Sequence, residues 1–179
     1  YNHNLDTGAE YYEEVVTTRS YADRLETIGN VASAGISLCC GGILGLGEGE
    51  KDRIDLLHTL ANLDTPPESI PVNALVPIEG TPLAEQAQLS VWDMVRAIAT
   101  ARILVPQAMV RLAAGRDQLS DEDHALCFLA GANSIFSGEK LLTTPHPGAD
   151  HDARLLDLFG LKPRQPYKAE TETETEAAG

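Results

Sequence analysis

Apolar stretches along this chain alternate with longer helical patterns. Residues 21–34 read as a helix, and Gly35 supplies its stop. The run Ile36-Ser37-Leu38-Cys39-Cys40 reads as a short strand leading into Gly41-Gly42-Ile43-Leu44-Gly45. A second helix is predicted over about residues 51–63, with Ile54, Leu57 and Ala61 on one face, until Pro66-Pro67 breaks it. Residues 70–76 read as a strand, with Pro71 near its start, and Gly80-Thr81-Pro82 is loop punctuation. A third helix, about 91–105, puts Val95, Ile98, Ala99 and Arg102 near one stripe and stops before Pro106. Residues 109–113 form another short run, and Ser120 with Asp123 resembles a capping box opening a helix to about residue 130. A last strand-like run at 133–136 precedes a loop and a helix near 152–159, closed by Gly160.

Strand followed by helix, repeated, means βαβ units and a parallel sheet, so the fold class is α/β. A doubly wound sheet and a (β/α)8 barrel both satisfy the order. A full barrel runs to about 250 residues, and four units are half of one. The expected organisation is therefore half a TIM-type barrel over residues 1–161. Residues 162–179, where Glu170, Glu172, Glu174 and Glu176 alternate with Thr, read as a solvated, disordered acidic tail.

Composition narrows the function. The net charge is −14, and the 13 Lys and Arg are scattered, so no basic face is offered to nucleic acid. No run of 18 apolar residues is present and no signal peptide opens the sequence. The chain starts at Tyr1, within a dense polar motif, which reads as an artificial or incomplete start. Three cysteines, Cys39, Cys40 and Cys127, do not suggest a disulfide scaffold.

The candidate chemistry begins with polar residues on predicted strands. A buried strand cysteine is usually a small hydrophobe, and that is the ordinary reading of Cys39. Asn73 lies mid-strand in an apolar run, however, and Arg111 does the same one unit later. Burying a guanidinium costs several kcal/mol, on the order of the price of any unpaired charge. Three successive strands that break the apolar rule for parallel sheets suggest polar groups in register, pointing into a cavity. Cys40 is expected to point opposite Cys39, leaving at most one of them as a ligand, and Cys127 is expected in the core.

The segment 41–49 holds five glycines in nine residues. It fits neither a dinucleotide fingerprint nor a P-loop. It is either a flexible connection or a place where backbone approaches a flat ligand. At the start, Asn4 and Asp6 share one face of an extended segment and suit ribose hydroxyls or an ammonium group; a helix N-cap cluster is the plainer alternative. The five histidines show no ligand spacing, and His146, Asp150 and His151 read as surface loop beside Pro145 and Pro147.

Taken in order, these segments resemble the biotin synthase family of radical S-adenosylmethionine (SAM) enzymes. The resemblance rests on Tyr-Asn-His-Asn-Leu-Asp-Thr at 1–7, Thr-Thr-Arg at 17–19, Ala34-Gly35-Ile36 leading to Cys39, and Gly-Gly-Ile-Leu-Gly-Leu-Gly-Glu at 41–48. It continues through Thr-Pro-Pro-Glu-Ser at 65–69, Gly-Thr-Pro-Leu at 80–83, Val-Arg-Leu-Ala-Ala-Gly-Arg at 110–116 and Ala-Gly-Ala-Asn-Ser-Ile-Phe at 130–136. It implies a SAM radical barrel that inserts sulfur into dethiobiotin to give biotin. A 4Fe–4S cluster would reduce SAM and release a deoxyadenosyl radical, and a 2Fe–2S cluster would supply the sulfur. Carried over by motif, Cys39 and Arg111 would ligate the 2Fe–2S cluster. Asn4 and Asp6 would hold the ribose of SAM, with Asn4 and Asn73 near dethiobiotin. Arg24 and Val76 would be secondary SAM contacts, and Gly41, Ile43 and Gly45 would lie on the strand and turn that contact adenine. The resemblance further implies a flavodoxin-type electron donor, a homodimer at full length, and a cytoplasmic protein if bacterial or a mitochondrial one if eukaryotic.

The C-x-x-x-C-x-x-C motif that holds the 4Fe–4S cluster in this family is absent from the 179 residues. The remaining 2Fe–2S cysteines also belong upstream. The chain alone is therefore expected not to cleave SAM, and as a half-barrel with two unpaired sheet edges it is expected to self-associate. Two other readings stand beside this one: a related radical SAM enzyme with another substrate, and a non-catalytic truncated barrel acting as a binding module.

Overall fold

A computed structural model describes residues 1–137, 140–141, 144–145 and 148–164. The acidic tail from residue 165 and His146 lie outside the described residues. In chain order the elements are α1 (Ala9–Val15), α2 (Tyr21–Ser33), β1 (Gly42–Leu44), α3 (Glu50–Ala61), β2 (Ser69–Ala74), α4 (Val91–Leu104), β3 (Met109–Leu112), a 3-10 turn (Arg116–Gln118), α5 (Asp121–Ala130), β4 (Ser134–Ile135), β5 (Lys140–Leu141), β6 (Thr144–Pro145) and α6 (Ala149–Leu158).

Strands β1 to β4 pair in sequence order, every neighbour parallel. Residues 1–6 extend the sheet on the β1 side through parallel bridges of Asn2 with Cys39 and Asp6 with Gly42. This is the α/β order of half a (β/α)8 barrel, as the strand–helix alternation predicts. The opening polar motif is thus a strand and not a helix cap. β5 and β6 make a separate antiparallel pair.

One face of the sheet builds the core. Cys40, Leu44, Ile70, Val72, Val110 and Leu112 are all buried, packed with Leu56, Leu57 and Leu60 of α3 and Met94, Ala97, Ile98 and Ala101 of α4. Burial of each large aliphatic side chain contributes about 1.5–3 kcal/mol. Cys127 is fully buried, as expected of a core residue. The helices begin where side chains can cap them. Ser20 Oγ accepts from the Asp23 amide while the Asp23 carboxylate accepts from the Ser20 amide, and Ser120 and Asp123 do the same for α5.

Four expectations need correction. Ile54 is 53% exposed: Leu57 and Ala61 of the predicted face do pack on the core, but α3 turns Leu56 and Leu60 inward beside them and leaves Ile54 outside. Arg102 does not pack on the apolar stripe of α4. Its guanidinium ties down the carbonyls of Pro106, Ala108 and Gly131, stapling the ends of α4 and α5 together. The strand after Gly35 starts later than predicted: Ile36 is exposed and the ladder proper begins at Gly42. Finally, α6 opens at Ala149 and not at Asp152, with Asp150 and Asp152 in its first turn, where carboxylates suit the helix dipole. α1 carries no apolar stripe beyond Tyr12, its one buried residue, and periodicity did not reveal it.

Candidate functional site

Because side chains alternate along a strand, the residues between the core positions point to the opposite face of the sheet. That face carries Cys39, Ile43, Asn73 and Arg111, all half-buried. The pairing register fixes their relative levels. Cys39 stands opposite Ser69, Arg111 opposite Pro71, and Asn73 opposite Ile43. Cys39, Arg111 and Asn73 therefore share a face but not a row: each of the three is stepped two residues along the sheet from the next. The expectation of three polar groups in register is corrected to a stagger. Cys39 stands lowest, near the start of the strands, Arg111 stands higher on β3, and Asn73 stands highest on β2 between them, toward the carboxyl ends where (β/α) barrels place their sites.

The polar groups on this face are held by specific partners. Asn73 Nδ2 donates to the Gly42 carbonyl at 2.9 Å and its Oδ1 accepts from the Ala114 amide at 3.1 Å, so the carboxamide bridges the strands on either side. Asn4 Oδ1 accepts from the Gly41 amide at 3.1 Å. Arg111 Nε donates to Ser134 Oγ at 3.1 Å, and its Nη groups make no hydrogen bond among the described residues. Ser69 is buried opposite Cys39, and its Oγ has no hydrogen-bond partner in the described structure.

Asp6 stands at the carboxyl end of the edge strand. It is the one described non-glycine residue in the left-handed region, at φ 67°, within a tight turn closed by the Thr7 amide on the Leu5 carbonyl at 2.9 Å. Such conformations cost about 1–3 kcal/mol and gather at functional positions. Asp6 Oδ2 accepts from Arg24 Nη2 at 3.0 Å, and Arg24 Nε donates to Tyr12 Oη at 2.9 Å. Burial pushes the Asp6 carboxyl above its ordinary value, outweighing the guanidinium that pulls it down. For Arg24, burial opposes the charge, but the Tyr12 hydrogen bond and the Asp6 carboxylate more than offset it.

The glycine run is neither a loose connection nor simply an opening for a ligand. A Cβ on Gly41 would lie 2.0 Å from the Pro71 carbonyl oxygen, and one on Gly42 would lie 2.3 Å from Leu56 Cδ2 and 2.7 Å from the Asp6 carbonyl oxygen. Neighbouring strands and α3 therefore demand glycine at both positions. The turn that follows is fastened by Glu48, whose Oε1 accepts from the Gly45 amide at 2.9 Å and from Arg53 Nε at 2.7 Å. Val76 sits just past β2, half-buried.

The two adjacent cysteines differ as alternation predicts. Cys40 is fully buried in the core, where desolvation pushes its thiol up to about 12, whereas Cys39 is half-buried on the opposite face. Among the described residues no cluster of three or more His, Cys, Asp or Glu could hold a metal ion. Sequence reasoning missed Ser134 as a partner of Arg111 on this face, and Tyr12 and the Glu48–Arg53 pair as supports around it. Only Ser134 and Glu48 lay inside motifs it had singled out.

Comparison with known proteins agrees with this architecture. Residues 71–162 match the family model for the Biotin and Thiamin Synthesis associated domain. The chain is 62% identical to a biotin synthase of Cytophaga hutchinsonii over 94% of its own length and 50% of the relative's. It is 58% identical to a mitochondrial biotin synthase of Arabidopsis thaliana over 98% of its length and 47% of the relative's. The chain thus spans about half the length of the curated relatives it matches. In fold it is similar to the FeFe-hydrogenase maturase HydG of Carboxydothermus hydrogenoformans, at a TM-score of 0.70 and 19% identity, over 90% of this chain and 42% of that one. It is also similar to an HMG-CoA lyase of Brucella melitensis, at a TM-score of 0.59 and 7% identity, over 90% and 58%. The staggered polar residues on a parallel α/β sheet therefore sit in a chain that belongs to the Biotin and Thiamin Synthesis associated domain family and resembles biotin synthases along almost its whole length.

Proposed function

We propose that this chain is the C-terminal half of a biotin synthase, with a barrel domain over residues 1–161 and an acidic tail over 162–179. The complete protein converts dethiobiotin to biotin by SAM-dependent sulfur insertion. The observation that carries the reading is the face of the sheet opposite the core, where Cys39, Asn73 and Arg111 stand on neighbouring strands, with the Asp6–Arg24 pair at the carboxyl end of the edge strand.

Bound there, a 4Fe–4S cluster with SAM would supply hydrogen abstraction from unactivated carbons, and a 2Fe–2S cluster would supply sulfur. The donors present fit part of that set. Cys39 offers a free thiol, and among the described residues the Nη nitrogens of Arg111 on the same face make no hydrogen bond and Ser69 Oγ, opposite Cys39, has no partner. Cys39 and Arg111 would hold one edge of the 2Fe–2S cluster. Asp6 and Asn4 would hold the SAM ribose, and Gly41, Ile43 and Gly45 the adenine, with Arg24 and Val76 as further contacts. Asn73 and Asn4 would orient dethiobiotin. What the chain contributes is binding, orientation and exclusion of water; Asn73 and Asn4 are already locked by backbone partners and present fixed carboxamides. The remaining donors come from the upstream half, with a flavodoxin-type protein as electron donor and a homodimer as the working assembly. Among the described residues no helix is long and apolar enough to cross a membrane. We place the protein in the bacterial cytoplasm, or in the mitochondrion of a eukaryotic source.

Reading the coding sequence upstream of the Tyr1 codon tests the proposal. A continuous frame that encodes C-x-x-x-C-x-x-C supports it. A frame without that motif leaves the face without its radical cluster, and the truncated-module reading replaces it.

A further inference from the structure

Asp6 gives only one of its two carboxylate oxygens to Arg24. Oδ2 accepts from Nη2 at 3.0 Å, while Oδ1 accepts no hydrogen bond among the described residues. A guanidinium and a carboxylate this close ordinarily meet in a two-pronged, parallel pair. The side-on form of that pair is closed, because Nε, which would form the prong beside Nη2, is already engaged with Tyr12 Oη at 2.9 Å. Tyr12 is fixed in turn. It is fully buried, the one buried residue of α1, and its ring packs edge-on against Tyr21 with centroids 5.2 Å apart. The carboxylate's own backbone is pinned by the left-handed turn and by the Ile43 amide, which donates to the Asp6 carbonyl at 2.7 Å.

We infer that Tyr12 is a positioning residue for nucleoside recognition: its hydroxyl restrains Arg24 to a single contact with Asp6 and so keeps Oδ1 available for a ribose hydroxyl. Without that hydroxyl the guanidinium turns to take both oxygens, and the ribose meets a carboxylate already saturated. The chain of contacts runs from a buried aromatic through one cation to one strained acid, and each link is a single atom pair. The inference rests on the reading that this face takes SAM.

The test is SAM affinity in the complete, cluster-loaded protein, measured by equilibrium binding. Tyr12→Phe keeps the ring and its packing and removes only the acceptor. It is expected to weaken SAM binding about tenfold, the scale of one hydrogen bond to a charged group. In an Asp6→Asn background the same change is expected to weaken binding no further, because Tyr12 acts only through Asp6. A purely structural role for Tyr12 would give the same loss in both backgrounds and would overturn the inference, as would Tyr12→Phe binding SAM as well as the parent. If Tyr12→Phe does not fold, Tyr12→Met serves, since it fills the buried space without a hydroxyl; the same loss, vanishing in Asp6→Asn, is expected, and an undiminished loss in that background overturns the inference. A parent protein that binds no SAM at all removes the proposed function as well, so the two failures are distinguishable.

Discussion

The guanidinium of Arg116 meets both carboxylate oxygens of Asp152 at 2.6 and 2.7 Å, with Arg116 fully buried and Asp152 nearly so. The pair ties the turn that follows β3 to α6. Arg116 Nε also donates to the Phe136 carbonyl past β4, so one side chain gathers three segments at the carboxyl end of the sheet. Gly115, at φ 77°, turns the chain inward to make this possible; a Cβ there would lie 2.5 Å from the Ala74 carbonyl oxygen.

Breaking this pair is costly, because the charge left behind cannot reach water. Asp152→Ala is expected to lower the unfolding free energy by about 3–5 kcal/mol. Chemical denaturation of the complete protein checks it, and a loss below about 1 kcal/mol would show that Arg116 finds other partners.

Beside this pair lies His124, fully buried, with Nδ1 2.9 Å from the Ser120 carbonyl. Desolvation, aided by the nearby Arg116 charge, depresses its pKa below the ordinary 6.5. The unfolded chain then binds a proton more readily than the folded one. His124 stability is fully present above pH 6.5 and is lost as pH falls toward the depressed folded value. Melting temperature measured from pH 7.5 down to about pH 5 should fall, and His124→Phe should flatten part of that slope. An unchanged slope would contradict this environment.

Cys39 and Cys40 should separate cleanly on substitution. In the complete protein, Cys39→Ala is expected to lose the 2Fe–2S absorbance after reconstitution. Cys40→Ala is expected to retain it, since Cys40 is fully buried in the core with its thiol pushed up to about 12. Iron and sulfide content with the visible spectrum of both variants decides the matter; loss from Cys40→Ala alone would reverse the assignment.

Gly41→Ala tests why the glycine run exists. Its methyl group would fall 2.0 Å from the Pro71 carbonyl oxygen, which is backbone and cannot rotate away. The strands must shift, at a cost of about 1–3 kcal/mol or more. Denaturation midpoints falling together with SAM affinity are the expected result. A variant with parental stability and impaired SAM binding would show that Gly41 serves ligand approach and not strand packing.

Much of the fold was legible because local chemistry and tertiary structure agree. Ser20 with Asp23 and Ser120 with Asp123 mark helix starts, Pro106 and Gly160 mark stops, and the helical patterns in between predicted α2 through α5 to within one or two residues at most ends. α1 stayed hidden because only Tyr12 of its seven residues is buried. Ile54 was misplaced because α3 turns two adjacent leucines to the sheet, which a three-residue stripe does not distinguish. The polar face was visible as Asn73 and Arg111 interrupting apolar runs. Their stagger was not, since register is set by pairing between strands. Tyr12 and the Arg116–Asp152 pair were invisible for a related reason: each acts through a contact between segments distant in sequence.

If this face belongs to an enzyme that makes biotin, the products of the complete protein identify it. The direct measurement incubates the complete protein, upstream half included and clusters reconstituted, with dethiobiotin, SAM and a reducing system, and quantifies biotin and 5′-deoxyadenosine by mass spectrometry. Biotin formed together with deoxyadenosine, and abolished by Asp6→Ala, is the result this account predicts. Deoxyadenosine without biotin would mean a related radical enzyme with another substrate, and neither product from a cluster-loaded protein would contradict the account.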